Sequence, residues 1–167
     1  MKLIAAVSEN WGIGKDNRLL FDIPLDMKFF RETTMGKTVI MGRKNLESFP
    51  SGKPLKNRIN VVLTRDKDFR CEGAEIVRSI DELLALDCVG EDAYVIGGES
   101  VYKQLLAYCD LCYITKVHKK VDCDRFMVNL DESADWKLLS ESEKIEDNGH
   151  LISFCKYERV KRGAQEG

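Results

Sequence analysis

Asp26 is an acidic residue at a position where the helical pattern would favour an apolar one. Pro24 suits the first turn of a helix, because the N–H group that proline lacks would have no partner there. At 3.6 residues per turn, Asp26 then falls within an apolar arc that includes Met27 and Phe30. An ionised carboxylate without a partner is costly in such surroundings. Asp26 is therefore either an acidic residue favoured by a helix N-terminus or the anchor of a ligand.

Two strand ends have residues that suit a phosphate group. The stretch "VIGGESVY" sets Gly97 and Gly98 between a strand and a helix, where the backbone can approach a ligand and N–H groups are free. The stretch "MGRKN" repeats the design, since Gly42 precedes Arg43 and Lys44 at a helix start. Two cations at a helix N-terminus interact unfavourably with the helix dipole, so helix stability does not explain their presence there.

A third strand end, in "LTR", adds Thr64 and Arg65. Ligands of open α/β sheets gather at the carboxyl ends of strands, so the three ends together suggest a phosphorylated cofactor. The pattern is not the dinucleotide fingerprint G-x-G-x-x-G, because the third glycine is missing. Three ordinary solvated loops are the alternative explanation.

The elements that must position these residues alternate along the chain. Continuous or alternating apolar runs predict strands at 2–7, 38–42, 59–65, 74–77, 93–98 and 111–117. Helices are predicted from Pro24 to near Gly36 and at 43–49, 80–87 and 99–108, the third opened by a capping box of Ser79 and Glu82. The last part predicts a hairpin with an Asn-Gly turn. The fold class is α/β: a single domain with a central, mostly parallel twisted sheet, a C-terminal antiparallel hairpin and about four flanking helices. The long loop 8–22 has the length of a functional lid.

Composition favours a single globular domain. The chain has 167 residues, 44% of them hydrophobic and 32% charged, with a net charge of −2. Such a balance argues against a nucleic-acid or membrane role, and no apolar run has the length of a membrane span. Without a secretory signal, six reduced cysteines in the cytoplasm are expected. Cys109 and Cys112 form a lone C-x-x-C without a second ligand pair, so no metal is expected, and His118 and His150 are expected to have structural roles.

The stretches "LIAAVSENWGIGKDNRLLFDIPLDMKFFRETT", "VIMGRKNLES", "PLKNR" and "VIGGESVY", in this order and spacing, resemble bacterial dihydrofolate reductase. The resemblance covers residues 1 to about 159 and leaves 160–167 as a mobile tail. It implies a cytoplasmic enzyme of one-carbon metabolism that reduces 7,8-dihydrofolate to tetrahydrofolate with NADPH. It also implies binding of antifolate inhibitors and a monomeric state.

The resemblance assigns residues to the substrate. Asp26 matches the carboxylate that accepts hydrogen bonds from the pterin, Thr115 a hydroxyl linked to it, and Arg58 the arginine that pairs with the glutamate tail. Residues matched to the walls of the substrate pocket are Ile4, Ala5, Met27, Phe30, Ser48, Phe49, Leu55 and Ile96. The desolvated surroundings of Asp26 are expected to raise its pKa.

The resemblance also assigns a cofactor site. Residues 9–22 match a mobile loop that closes over the nicotinamide, and the Gly97–Gly98 peptide is cis in the family. The residues matched to the cofactor are Ala6, Ile13, Gly14, Leu19, Gly42, Arg43, Lys44, Asn45, Leu63, Thr64, Arg65, Ile96, Gly97, Gly98, Glu99, Ser100, Val101 and Tyr102.

The sequence departs from the family at two points. Leu20 and Phe21 stand where proline and tryptophan are usual, which affects the water network beside the pterin and makes Phe21 a candidate catalytic position. Asn45 replaces a usual threonine and still offers a short polar group. Two alternatives remain: a pyrimidine reductase of riboflavin biosynthesis on the same scaffold, and a nucleotide-binding module without catalysis.

Overall fold

The computed structural model describes residues 1–49 and 51–161. Its strands are β1 (Lys2–Val7), β2 (Gly12–Lys15), β3 (Arg18–Leu19), β4 (Thr38–Gly42), β5 (Ile59–Leu63), β6 (Ala74–Val77), β7 (Ala93–Gly97), β8 (Leu111–Val117), β9 (Arg125–Phe126), β10 (Trp136–Glu141), β11 (Ile145–Asp147) and β12 (His150–Arg159). Its helices are α1 (Pro24–Thr34), α2 (Arg43–Glu47), α3 (Ile80–Leu84) and α4 (Glu99–Leu105), the last continued by a 3₁₀ turn, Leu106–Tyr108.

A nine-stranded sheet forms the centre of the molecule. Its order is β10-β12-β8-β1-β7-β4-β5-β6, with β11 paired to β12. The strands from β8 to β6 in this order are parallel, and β12 joins β8 in antiparallel fashion. The α/β fold with a C-terminal hairpin is therefore confirmed. Asn148 and Gly149 both have positive φ, as the Asn-Gly turn requires.

Residues 8–22 differ from the expected loop. Two short strands, β2 and β3, lie within this segment and pair with each other. The other edge of β2 pairs with β9, and the three strands form a separate sheet, here called the small sheet. Both strands are too short, and too rich in glycine and charged residues, to give an apolar pattern of their own. The pairing of β2 with β9, more than a hundred positions along the chain, supplies hydrogen bonds that local sequence does not predict.

Several predicted elements end earlier than expected. The helices predicted to reach 49 and 87 end at Glu47 and Leu84, and the strand predicted to reach 65 ends at Leu63. The capping box of α3 is present, since Ser79 Oγ accepts from the N–H of Glu82 at 3.1 Å. The Glu82 carboxylate accepts from the N–H of Arg78 at 2.7 Å, one residue before the usual partner.

The apolar face of α1 is incompletely covered. Ile23 and Thr34, at its two ends, are buried, but Met27 between them is 50% exposed. Phe29 and Phe30 are half-buried against a core cluster that contains Ile4 and Met41. Part of the apolar face of this helix is therefore open to solvent. In the described part of the chain, no helix is long and apolar enough to cross a membrane.

The ends of the described chain bear on the predicted tail. Val160 donates its N–H to the carbonyl of Asp135 at 2.8 Å, so the ordered backbone continues one residue past the expected boundary at 159. The rest of the predicted tail, 162–167, lies outside the described residues.

Candidate active site

Asp26 and Thr115 form a hydrogen-bonded pair between α1 and β8. Thr115 is 2% exposed and donates from Oγ1 to Asp26 Oδ1 over 2.6 Å. Burial raises the pKa of Asp26, and the hydrogen bond from Thr115 partly opposes that rise. The expected direction of the shift is therefore confirmed. Thr115 uses its only proton on Oδ1, which leaves the rest of the carboxylate able to accept from a ligand.

The N-terminus of α1 has a different acidic partner. Ile23, its N-cap residue, makes no capping hydrogen bond with its side chain. Instead Asp147, at the tip of the C-terminal hairpin, accepts from the N–H of Leu25 at 2.8 Å. Asn148 reinforces the contact by donating from Nδ2 to the carbonyl of Asp22 at 2.7 Å. Asp147 therefore takes the helix-terminus role that was the alternative explanation for Asp26.

Most of the apolar residues expected around a pterin belong to one core cluster. Ile4 and Ile96 are buried in one core cluster, against which Phe30, Phe49 and Leu55 pack as half-buried neighbours. Ala5 is buried on β1 in a different core cluster, and Met27 is 50% exposed on α1. Ser48 donates from Oγ to the carbonyl of Asn45 at 2.6 Å, at the end of α2.

Arg58 is held rigidly by backbone and hydroxyl acceptors. Its Nε donates to Thr34 Oγ1 at 3.1 Å, its NH1 to the carbonyl of Lys56 at 2.9 Å, and its NH2 to the carbonyl of Arg31 at 3.4 Å. A guanidinium has five N–H groups, so two remain available. Desolvation, and secondarily the charge of Arg31, lower the pKa of Arg58.

Asn60 shapes the loop that carries Leu55 and Arg58. It is 3% exposed, accepts from the N–H of Leu55 and donates to the carbonyl of Leu55, both at 2.9 Å. It also donates to the carbonyl of Arg58 at 3.2 Å. The sequence signal for this role is a polar residue at the start of an otherwise apolar strand, and sequence reasoning missed it.

A cavity of about 1000 Å³ opens at the carboxyl ends of the central strands. Every residue matched to the cofactor lines it: Ala6, Ile13, Gly14, Leu19, Gly42, Arg43, Lys44, Asn45, Leu63, Thr64, Arg65, Ile96, Gly97, Gly98, Glu99, Ser100, Val101 and Tyr102. Its volume is at the upper end of the range for ligand pockets.

Sequence reasoning missed part of the lining. The additional residues are Lys15, Asn17, Arg18, Arg78, Ser79, Ile80, Asp81, Gln104, Tyr108 and Arg125, besides Ser48 from the substrate set. They come from the small sheet, from the start of α3 and from the end of α4, which no single motif connects. The positive charges of Lys15, Arg18, Arg78 and Arg125 were the one feature of the sequence that could have indicated their place in an anion-binding cavity.

The Gly97–Gly98 turn forms an open cradle in the cavity wall. Its peptide bond is cis, as the resemblance implies, and Gly97 has a φ of 125°. A side chain there would be strained, and a Cβ would lie 3.4 Å from the ring of Tyr102. That ring is fixed, because Tyr102 donates its hydroxyl to the carbonyl of Ile4 at 2.8 Å. Burial raises the pKa of the Tyr102 phenol, so it stays a neutral donor.

The cavity is cationic although the chain is not. Its charged lining consists of Lys15, Arg18, Arg43, Lys44, Arg65, Arg78 and Arg125 against Asp81 and Glu99. Arg43 has local partners, since its NH1 lies 3.4 Å from Asp66 Oδ2 and its Nε lies 3.8 Å from Glu47 Oε1. The excess of positive charge fits an anionic ligand of several phosphates.

Phe21 lies outside this cavity lining. It is half-buried in an apolar cluster with Ile23 and Val117, and its ring meets that of His150 edge-on at 5.2 Å. Nδ1 of His150 is buried without a hydrogen-bond partner among the described residues. Phe21 thus brings no titratable group to the site.

The cysteines lie apart from the site chemistry. Cys109 and Cys112 are buried as free thiols, and desolvation raises the pKa of Cys109 to about 11 and that of Cys112 further still. Among residues 1–49 and 51–161, no group of three or more His, Cys, Asp and Glu side chains could hold a metal ion.

Comparison with known proteins places this site in a family context. The family model "Dihydrofolate reductase" matches residues 1–159. The chain is 38% identical over 161 residues to the dihydrofolate reductase of Bacillus subtilis (strain 168), covering 95% of this chain and 94% of that one. It is 38% identical over 165 residues to that of Staphylococcus haemolyticus, covering 96% of each.

A solved structure extends the similarity to three dimensions. The dihydrofolate reductase from Enterococcus faecalis, complexed with NADP(H) and RAB-propyl, is 32% identical and superposes with a TM-score of 0.84. The match covers 95% of both chains. Neither alternative function gains support from these similarities.

Proposed function

The chain belongs to the dihydrofolate reductase family, and we propose that it reduces 7,8-dihydrofolate to 5,6,7,8-tetrahydrofolate with NADPH. The observation that carries this proposal is the Asp26–Thr115 pair, a half-buried carboxylate that retains acceptor capacity. Thr115 pairs across the sheet with Ala6, which lines the cationic cavity. A neutral pterin ring has N–H groups that match such an acceptor. A substrate with only anionic groups would have no use for a carboxylate acceptor at this position.

Asp26 binds the pterin in this proposal. Its carboxylate accepts hydrogen bonds from N3 and the 2-amino group, while Thr115 fixes the orientation of the carboxylate. The half-buried rings of Phe30 and Phe49 cover the faces of the substrate. The role suits a desolvated carboxylate, because hydrogen bonds to a charged group strengthen in a medium of low dielectric constant.

Arg58 binds the glutamate tail of the substrate. Three of its N–H donors are occupied by the protein, and the remaining two can meet a carboxylate in bidentate fashion. Its guanidinium is already held in place, so little side-chain entropy is lost on binding. This arrangement favours a substrate with a carboxylate some distance from its ring system.

The residues of the cavity fit NADPH. The Gly97–Gly98 turn leaves room for a diphosphate, and Arg43, Lys44 and Arg65 can surround the 2′-phosphate. Ala6 and Ile13 offer backbone groups to the nicotinamide amide. When bound, NADPH supplies the hydride that the pterin receives at C6.

The pterin must also gain a proton at N5. Asp26 lies at the other side of the ring in this proposal, so it polarises the pterin and a water molecule delivers the proton. Because burial raises the pKa of Asp26, its carboxylate gains a proton at a higher pH than that of an exposed aspartate. Asp26 therefore holds the substrate and tunes its basicity without acting as a simple acid.

Three narrower expectations accompany the proposal. We expect a monomer, a cytoplasmic location and inhibition by antifolates that present a diaminopyrimidine to Asp26. Gel filtration, cell fractionation and a binding titration with a diaminopyrimidine inhibitor test them in turn.

The decisive experiment is an absorbance assay at 340 nm with NADPH and dihydrofolate. Oxidation of NADPH that requires dihydrofolate, and that a diaminopyrimidine blocks, is the expected result. Absence of turnover by the purified, folded protein would refute the proposal. A pyrimidine reductase would instead turn over a ribosylamino-pyrimidine and leave dihydrofolate untouched.

A further inference from the structure

The cations of the cavity come from two separate parts of the fold. Arg43, Lys44, Arg65 and Arg78 belong to the segments that follow β4, β5 and β6. The second group, Lys15, Arg18 and Arg125, belongs to the small sheet. The first group accounts for a 2′-phosphate, but the function proposed above gives the second group no role.

The Gly97–Gly98 turn has no cation of its own. The next two residues are Glu99 and Ser100, and the carboxylate of Glu99 lines the cavity with them. Lys103, one turn further along α4, points its charge at Glu99, with Nζ 3.6 Å from Oε1. A diphosphate at this turn would therefore meet a carboxylate and would need a positive charge from another element.

Glu99 links the turn to the small sheet. Its Oε2 accepts from the backbone N–H of Phe126 at 2.6 Å, so the strand β9 is tied directly to the start of α4. The Glu99 side chain is 24% exposed, which keeps much of this contact out of water. The acidic residue that would repel a diphosphate is thereby engaged with β9.

Arg125 is the residue next to this contact. It pairs with Gly14 of β2, where an added Cβ would lie 3.7 Å from the Cβ of Arg125. Its guanidinium makes one hydrogen bond, from NH1 to the carbonyl of Asp124 at 3.3 Å, and no ion pair within residues 1–49 and 51–161. Four of its five N–H groups thus remain available beside the cavity.

We propose that Arg125 is a ligand of the cofactor diphosphate, positioned beside the Gly97–Gly98 turn by the hydrogen bond between Glu99 and Phe126. Arg125 supplies the positive charge that the turn itself lacks. The small sheet then serves as a wall of the diphosphate site as well as a cover for the nicotinamide. This inference rests on the proposed function, because it takes NADPH as the ligand of the cavity.

NADPH and NADH share the diphosphate, so loss of a diphosphate ligand should weaken the binding of both cofactors equally. Dissociation constants of both cofactors are measured by fluorescence titration for the wild type, Arg125→Ala and Arg125→Lys. We expect Arg125→Ala to weaken both cofactors by about tenfold or more, equivalent to about 1.4 kcal/mol. Their ratio should stay constant, and Arg125→Lys should recover part of the loss.

Lys120→Ala is the matched control. It removes one positive charge from the exposed segment between β8 and β9, away from the cavity lining. We expect it to bind both cofactors as the wild type does. If Arg125→Ala also binds both normally, or weakens NADPH alone, the inference is overturned.

Glu99 variants test the positioning step. Removing a carboxylate near a diphosphate should tighten binding if charge is its only effect. We expect Glu99→Ala to weaken NADPH binding several-fold, because β9 loses its anchor, and Glu99→Gln, which retains an acceptor oxygen, to bind at least as well as the wild type. Tighter binding by both variants would refute the anchoring role.

The failure of this inference differs from the failure of the proposed function. A wild-type protein that binds NADPH and reduces dihydrofolate, with Arg125→Ala unchanged, overturns the inference alone. A wild-type protein that does neither overturns the function and the inference together.

Discussion

Ionisation of Asp26 costs more free energy in the folded protein than in water, because its carboxylate is partly removed from solvent. Desolvation raises its pKa above the ordinary value for aspartate, and the hydrogen bond from Thr115 recovers part of that cost. A group whose pKa is raised on folding stabilises the fold at low pH, and this contribution is lost as the pH rises through the folded-state pKa. At neutral pH the Asp26 carboxylate therefore lowers the free energy of unfolding.

Asp26→Asn should accordingly make the folded protein more stable at pH 7. The amide keeps the size of the side chain and an oxygen that accepts from Thr115, but it has no charge to desolvate. Urea unfolding of both proteins from pH 3 to pH 8 measures the difference, which should shrink as the pH falls toward the ordinary range for aspartate. A variant that is less stable than the wild type at pH 7 would contradict this interpretation.

The same substitution should impair catalysis. Without the carboxylate the pterin loses its charged partner and N5 is harder to protonate, so hydride transfer at neutral pH should fall by well over tenfold, or more than about 1.4 kcal/mol of barrier. Acidification should restore part of the rate, because a substrate that is already protonated at N5 in solution does not depend on the enzyme for that proton. Single-turnover kinetics from pH 5 to pH 9 give the profile, and wild-type rates throughout would show that Asp26 does not anchor the pterin.

Arg43 and Arg65 should determine the preference for NADPH over NADH. Hydrogen bonds to a charged group contribute about 1.5–3 kcal/mol each, so two of them give a preference of about a hundredfold or more. Arg43→Ala with Arg65→Ala should raise the KM for NADPH and leave that for NADH nearly unchanged. Equal use of both cofactors by the wild type would contradict the assignment.

At the scale of elements, α1 depends on a distant hairpin. Its N-cap residue, Ile23, has no side-chain acceptor for the free N–H groups of the first turn. Asp147 supplies one instead by accepting from the N–H of Leu25. Asn148 and the half-buried ring of Phe21 make further contacts between the hairpin and the start of α1. The helix that bears Asp26 is thus fixed at one end by the last two strands of the sheet.

Asp147→Ala should test this dependence. Loss of a helix cap costs about 0.5–2 kcal/mol, which should appear in the free energy of unfolding from urea titration. Glu146→Ala, at an exposed neighbouring position, is the control and should have little effect. If the two variants prove equally stable, the contact with Leu25 does not brace α1.

At the scale of the molecule, the charges are segregated. The net charge is −2, yet the cavity at the strand ends carries seven cationic and two acidic side chains. Repulsion among these cations raises the free energy of the unliganded fold, and a phosphorylated ligand relieves it. Ligand binding and global stability should therefore be tightly linked.

NADPH should stabilise the whole protein against unfolding. A ligand that binds only the folded state adds about 2.7 kcal/mol at a hundred times its Kd. Thermal unfolding with NADPH should show a clear rise in Tm, and NADH at the same concentration should give a smaller one. An unchanged Tm at saturating NADPH would contradict specific binding by the folded protein.

The sequence by itself determined the central sheet, the helices and the three strand ends suited to phosphate, while the family resemblance implied most of the remaining cavity lining. Apolar runs such as Lys2–Val7 and glycines such as Gly97 act through local propensity and backbone freedom, which are properties of short stretches. Only the tertiary structure decided three features: the small sheet, the capping of α1 by Asp147, and the hydrogen bond between Glu99 and Phe126 that brings Arg125 near the Gly97–Gly98 turn. Each of these joins residues roughly thirty to more than a hundred positions apart, and the free energy of such contacts depends on packing of the whole chain, which no local pattern encodes.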